Sequence, residues 1–94
     1  ANTDHDYNKV VDGGIRPQVN QTMKNIQNIL KKHNATMDDI VKCTCILADD
    51  DDWGPMSEEY VKYFKTHKPA RTTFGGAELG DGILVEIDCI AKLR

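Results

Sequence analysis

The chain has 94 residues, 39% of them hydrophobic, with 12 basic against 15 acidic side chains and a formal net charge of -3. A chain of that size builds one domain with a small core and leaves part of its surface apolar, which oligomerisation would cover. The acidic balance offers no basic stripe for a phosphate backbone, and no apolar run approaches the ~20 residues that span a bilayer, so composition speaks against nucleic-acid binding and a membrane role.

In chain order, Tyr7 to Val11 is a short, weak strand closed by the turn signal Asp12-Gly13-Gly14. Pro17 suits the first turn of a helix, because its missing N–H is not needed there. Val19, Met23, Ile26, Ile29 and Leu30 then recur at three- and four-residue spacing, giving an apolar face opposite Gln21, Lys24 and Gln27. Lys31, Lys32 and His33 complement the dipole in the last turn, and Asn34 is a left-handed cap.

Ile40 to Ala48 alternates as a strand, with Val41, Cys43, Cys45 and Leu47 expected to face the helices and Ile40, Lys42, Thr44 and Ile46 to face away. The acidic run Asp49 to Asp52 suits the start of a second helix, whose buried side carries Trp53, Met56, Tyr60 and Phe64. It lacks the alternating ligands and central glycine of an EF-hand loop. Two further strands, Arg71 to Ala77 and Ile83 to Leu93, are joined through Gly80-Asp81-Gly82. The expected fold is a single α+β domain over residues 1–94, with two helices on one face of a mixed sheet. Its other face is bare and mixes apolar with polar residues, as a surface covered by another subunit does.

Cys43, Cys45 and Cys89 are an odd number and cannot all pair within the chain. Without a charged-then-apolar leader they read as reduced core thiols of a cytoplasmic protein. A mitochondrial form stays open, because the chain begins at Ala1 on what looks like a hairpin turn, as a shortened copy of something longer would. No metal site is expected, since Cys43 and Cys45 lack helping ligands at suitable spacing. Of the three histidines, only His67 is within reach of Arg71.

The chemistry centres on Arg71 and Glu86. Arg71, Thr73 and Gly75 share one side of an extended segment, and a planar guanidinium there can hold a small carboxylate through two parallel N–H bonds. Glu86 lies among Ile83, Leu84, Val85 and Ile87, where a charge needs a partner or a task. It falls on the bare face with Leu84, Asp88 and Ile90. A structural ion pair between Arg71 and Glu86 or Asp88 is the competing reading of the same residues.

Pro69-Ala70-Arg71, followed by Phe74, Ala77, Leu79 and Val85-Glu86-Ile87, resembles the C-terminal signature of the RidA/YjgF family. The resemblance extends through "DDIVKCTCILADDDDW" and "QVNQTMKNIQNILKKHNAT", and covers the chain from about Val10 onward. It implies a trimer of chorismate-mutase-like subunits with clefts between neighbours, hydrolysing reactive imines or enamines to 2-oxo acids and ammonia without metal or cofactor. In that case Arg71 grips the substrate carboxylate, Glu86 positions or activates the attacking water, and Thr73 stands where many members carry cysteine, its backbone close to the ligand. Family members begin with a strand hairpin that contributes to the cleft, and nothing in this chain corresponds to it. Two other functions remain open: a non-enzymatic module binding small carboxylates such as 2-oxo acids, and a ribonuclease or translation inhibitor, which the acidic balance disfavours.

Overall fold

The computed structural model describes residues 10–93. Within them the order is α1 (Ile15–Lys32), a 3-10 turn (Met37–Asp39), β1 (Ile40–Leu47), a 3-10 turn (Asp50–Asp52), α2 (Trp53–Val61), β2 (Ala70–Phe74) and β3 (Val85–Ala91). Most of the strand expected at Tyr7 to Val11 lies outside the described residues, and Val10 forms only an isolated bridge.

The turn before α1 is as the sequence suggests: Gly13 and Gly14 have φ of 108° and 92°, a region that L side chains rarely adopt. At the other end Asn34 takes φ 58°, and the Ala35 N–H donates to the Leu30 carbonyl at 2.9 Å, closing the helix through a left-handed residue. Thr36 and Asp39 then form a reciprocal capping box. The Asp38 N–H donates to Thr36 Oγ1 (3.2 Å), and the Thr36 N–H donates to Asp39 Oδ2 (2.9 Å).

The three strands form one mixed sheet in the order β2-β1-β3. β1 runs parallel to β2, a pairing that requires the intervening crossover through α2, and antiparallel to β3. Consecutive strands β2 and β3 are therefore not neighbours: segment 75–84 carries the chain past β1 to the opposite edge. Both helices cover one face, burying Val19, Met23, Met56 and Tyr60 against Cys45, Leu47, Val85 and Ile87. Each large apolar side chain fully buried in this way contributes roughly 1.5–3 kcal/mol.

Three expectations need correction. From Cys43 to Leu47 the alternation of β1 is as read, but its first residues are inverted: Ile40 is 1% exposed and Val41 50% exposed. A register shift between Ile40 and Lys42 is the cause, since one extra residue in a ladder flips every side chain before it. Trp53 is 41% exposed because it opens α2, beyond the stripe formed by Met56 and Tyr60. Ile29 is 52% exposed, overhanging the β3 edge beside a 140 Å³ hollow that Ile26, Cys89 and Ala91 also line.

The cysteines are not all reduced thiols. Cys43 and Cys89 are direct cross-strand partners with Cα atoms 4.1 Å apart, and they form a disulfide; Cys45 stays free and buried.

Two polar devices hold the layers together. Gln18 is buried on α1, where its Nε2 donates to the Gly82 carbonyl (2.8 Å) and its Oε1 accepts from the Leu84 N–H (2.8 Å). Between the helices, Glu59 accepts from Arg16 (2.7 Å), Asn20 (2.9 Å) and Lys62 (3.1 Å). The Asn20, Arg16 and Lys62 hydrogen bonds, in that order, hold the Glu59 carboxyl well below the usual range, at about 2.

Candidate functional site

Arg71 lies on β2, opposite Cys43 on β1. Cross-strand partners point the same way, and Cys43 faces the helices, so Arg71 does too. Its guanidinium carbon stands 5.3 Å from the Tyr60 ring centroid, and its Nη1 donates to Ser57 Oγ at 3.0 Å. Thr73 follows on the same side, opposite Cys45; among the described residues its buried Oγ1 finds no partner at hydrogen-bond geometry, and the Cys45 thiol is its polar neighbour. Burial pushes the Cys45 thiol up to about 11, with the Arg71 charge and the Thr73 hydroxyl acting in the opposite sense, so this cysteine is a protonated core residue.

Glu86 lies elsewhere. It is half-buried on β3 opposite Ile46, while Val85 and Ile87 on either side of it are buried under the helices. Glu86 therefore shares the bare face with Thr44, Ile46 and Asp88, on the far side of the sheet from Arg71 and at the opposite edge. One chain does not bring the two groups together, because Arg71 faces the helices, Glu86 faces the bare side, and β1 stands between their strands. The structural ion pair is not formed either: among the described residues Arg71 has no carboxylate partner, and neither Glu86 nor Asp88 forms a salt bridge.

Among the described residues His67 makes no hydrogen bond or ring contact with Arg71. Its Nε2–H donates to the Ile40 carbonyl (2.9 Å), which ties the loop before β2 to the start of β1. The acidic run closes on itself, Asp49 Oδ1 accepting from the Asp51 N–H (2.9 Å) in the turn that leads into α2. Among the described residues no group of three or more His, Cys, Asp or Glu side chains is placed to hold a metal ion. No helix among them is long and apolar enough to cross a membrane.

What surrounds Arg71 is a groove of about 280 Å³, whose lining includes Ser57, Tyr60, Phe64, Lys68 and Pro69. Its floor is aromatic, with Tyr60 and Phe64 rings 4.9 Å apart, and Lys68 adds a second cation without a salt-bridge partner among the described residues. The sequence showed Tyr60 as a core residue but gave no sign that it and Ser57 touch Arg71. That contact depends on how β2 sits beside α2, although the i, i+3 spacing of the two residues does place them on one helix face.

Residues 2–93 match the endoribonuclease L-PSP family. Protein HMF1 of Saccharomyces cerevisiae is 39% identical over 87 residues, covering 93% of this chain and 67% of its own. The human 2-iminobutanoate/2-iminopropanoate deaminase is 36% identical over 83 residues, 88% of this chain and 61% of its own. A crystal structure of RidA from an Antarctic Psychrobacter aligns with a TM-score of 0.89 at 27% identity, covering 98% of this chain and 74% of that one. The chain thus spans about two thirds or less of the length of these two curated relatives. Relatives named as mitochondrial and as chloroplastic proteins also match. A 2-iminobutanoate/2-iminopropanoate deaminase and a reactive intermediate deaminase are thus among the named relatives. With a matching fold of two helices on a mixed sheet, the chain belongs to the endoribonuclease L-PSP family, the group that includes RidA and UK114.

Proposed function

We propose that this chain hydrolyses reactive 2-imino acids and their enamine tautomers to 2-oxo acids and ammonia, in a cleft shared between copies of a homotrimer. The observation that carries this reading is the uncompensated charge of Arg71. Its contacts are a neutral hydroxyl and a neutral ring, which leaves the guanidinium able to take a substrate carboxylate through two parallel N–H bonds. Thr73, next on the same face, lines the ligand side of the strand.

Because Glu86 lies on the other face, the carboxylate that serves a given Arg71 comes from a neighbouring copy. Glu86 accepts a proton from water as the oxygen attacks the iminium carbon, and the C=N electrons pass to nitrogen. Glu86 returns the proton to the carbinolamine nitrogen, and as the C–N bond breaks and the hydroxyl proton passes to water, ammonia leaves and the 2-oxo acid remains. An iminium carbon is already electrophilic, so orientation and water activation supply the acceleration, with no cofactor.

The test generates 2-iminopropanoate with an amino-acid oxidase and follows its decay with and without the protein. Arg71→Ala is expected to lower kcat/KM about a hundredfold or more, the loss of two charge-assisted hydrogen bonds, with assembly unchanged. Failure of the folded, assembled wild type to accelerate decay overturns the reading.

A second reading has its own support: a single chain holds Arg71 and its groove with Glu86 on the other face. A module that binds 2-oxo acids without turnover needs only Arg71 and its groove. For such a module Glu86→Gln leaves calorimetric affinity nearly unchanged and there is no turnover to lose. For the enzyme, the same variant abolishes turnover.

A further inference from the structure

An arginine on an edge strand has four rotatable bonds, and little holds its head group in place unless something else does. Here two residues of one helix do so. The Tyr60 ring lies 5.3 Å from the guanidinium carbon, inside the range of cation–π attraction, and Ser57 Oγ accepts from Nη1. Tyr60 is itself fixed, 4% exposed and packed against Phe64 with the rings tilted by 49°. Its hydroxyl is buried and forms no hydrogen bond with a described residue, and what it presents to Arg71 is the ring.

The acids of α2 are turned away from this face. Glu58 and Glu59 pair with Arg16, and Glu59 also with Asn20 and Lys62, so the helix shows Arg71 only neutral groups. Arg71 is thereby oriented without being neutralised. The Ser57 contact uses Nη1, which leaves the Nε and Nη2 edge to meet both oxygens of a carboxylate side-on.

We propose that Tyr60, assisted by Ser57, is a positioning residue that holds Arg71 in the orientation in which it receives a carboxylate ligand. This rests on the reading of Arg71 as the clamp. The arrangement recognises the carboxylate end common to substrate and product, so the role is expressed in binding and KM and leaves kcat nearly untouched.

The experiment compares wild type with Tyr60→Leu, Tyr60→Phe, Ser57→Ala and Arg71→Ala. It reads calorimetric affinity for 2-oxobutanoate, KM and kcat for 2-iminobutanoate generated in situ, and the ¹⁵N relaxation of the Arg71 Nε–H group. Tyr60→Leu is expected to weaken affinity and raise KM about fivefold, with kcat within about twofold, and to increase Arg71 side-chain motion. Tyr60→Phe keeps the ring and stays within about twofold of wild type throughout. A general loosening of the core would instead lower kcat together with the melting temperature and leave no effect specific to Arg71 motion. If Arg71→Ala abolishes binding while folded Tyr60→Leu keeps both wild-type affinity and an ordered Arg71, the positioning role is overturned and the clamp stands. If Arg71→Ala binds as wild type does, the clamp reading falls and this role with it. Should Tyr60→Leu not fold, Ser57→Ala decides by the same relaxation signal: increased Arg71 motion supports the α2 hold, and an unchanged signal overturns it.

Discussion

The inverted start of β1 makes a prediction whose sign depends on one residue of register. Ile40→Ala removes three carbons from a side chain that is 1% exposed. At ~0.8 kcal/mol per buried methylene this alone costs about 2.4 kcal/mol, and the cavity left behind adds to it. Ile40 also borders the 140 Å³ hollow under Ile29, so the site is already loosely filled on one side, and the total is expected at about 3 kcal/mol. Val41→Ala removes two carbons from a side chain already 50% exposed, which gives about 0.5–1 kcal/mol. For a domain of this size these values correspond to roughly 12–24 °C and 2–8 °C in Tm. The assay is urea and thermal unfolding at several protein concentrations. If the bare face is covered by another copy, the Val41 deficit acquires a concentration dependence, whereas the Ile40 deficit, inside the protomer, does not. Without the register shift the order of the two variants reverses. A concentration-independent cost for Val41→Ala equal to or above that for Ile40→Ala would refute the bulge.

Glu59 gives a pH dependence. Its carboxyl is held at about 2, down from its ordinary value of 4.5, so its stabilising contribution is complete above pH 4.5 and is lost as pH falls through about 2. The stability gap between wild type and Glu59→Gln, followed by denaturant titration, is expected to close over that window; a gap constant from pH 7 to pH 2 contradicts the assignment. The Cys43–Cys89 bridge joins residues 46 apart, and chain entropy alone makes it worth ~4 kcal/mol. Reduction is expected to lower the unfolding midpoint accordingly, and a chain whose three thiols all react with a thiol reagent in denaturant before any reductant is added carries no such bridge. Gly75 lies against the second acidic residue of the run: a Cβ there would stand 2.9 Å from Asp50 Cγ and 3.2 Å from its Cα. Gly75→Ala is expected to cost about 1–3 kcal/mol, since the backbone atom cannot swing aside, and an unchanged melting curve would show the approach to be looser.

Much of the architecture was legible because local signals agreed with the global packing. The α1 stripe ends at a left-handed Asn34 as its sequence suggests, and the alternation from Cys43 to Leu47 correctly separates the helix side from the bare side. What escaped depended on partners distant in sequence. The slip at Ile40 exists only in the pairing of β1 with β3, and an isolated β1 sequence fits either parity. The same pairing puts Cys43 against Cys89, which no count of cysteines could show. At the site, spacing put Arg71 and Thr73 on one side of their strand without saying which, and put Glu86 on the bare face. Their convergence failed on two counts that only the assembled sheet reveals: Arg71 faces the helices, and β1 separates its strand from that of Glu86. Gln18 reads as an ordinary polar residue near a helix start, although it fastens α1 to the segment entering β3.

Helix α2 acts as an insulator between two guanidinium groups. On one flank Arg16 is quenched by Glu58 and Glu59; on the other Arg71 stays live against Ser57 and Tyr60. Neighbouring positions on a helix are about 100° apart, so the partition rests on its rotational setting, which Met56 and Tyr60 fix by being buried. A core change that turned the helix by one position would swing an acid toward Arg71 and silence it without altering any residue that touches the ligand.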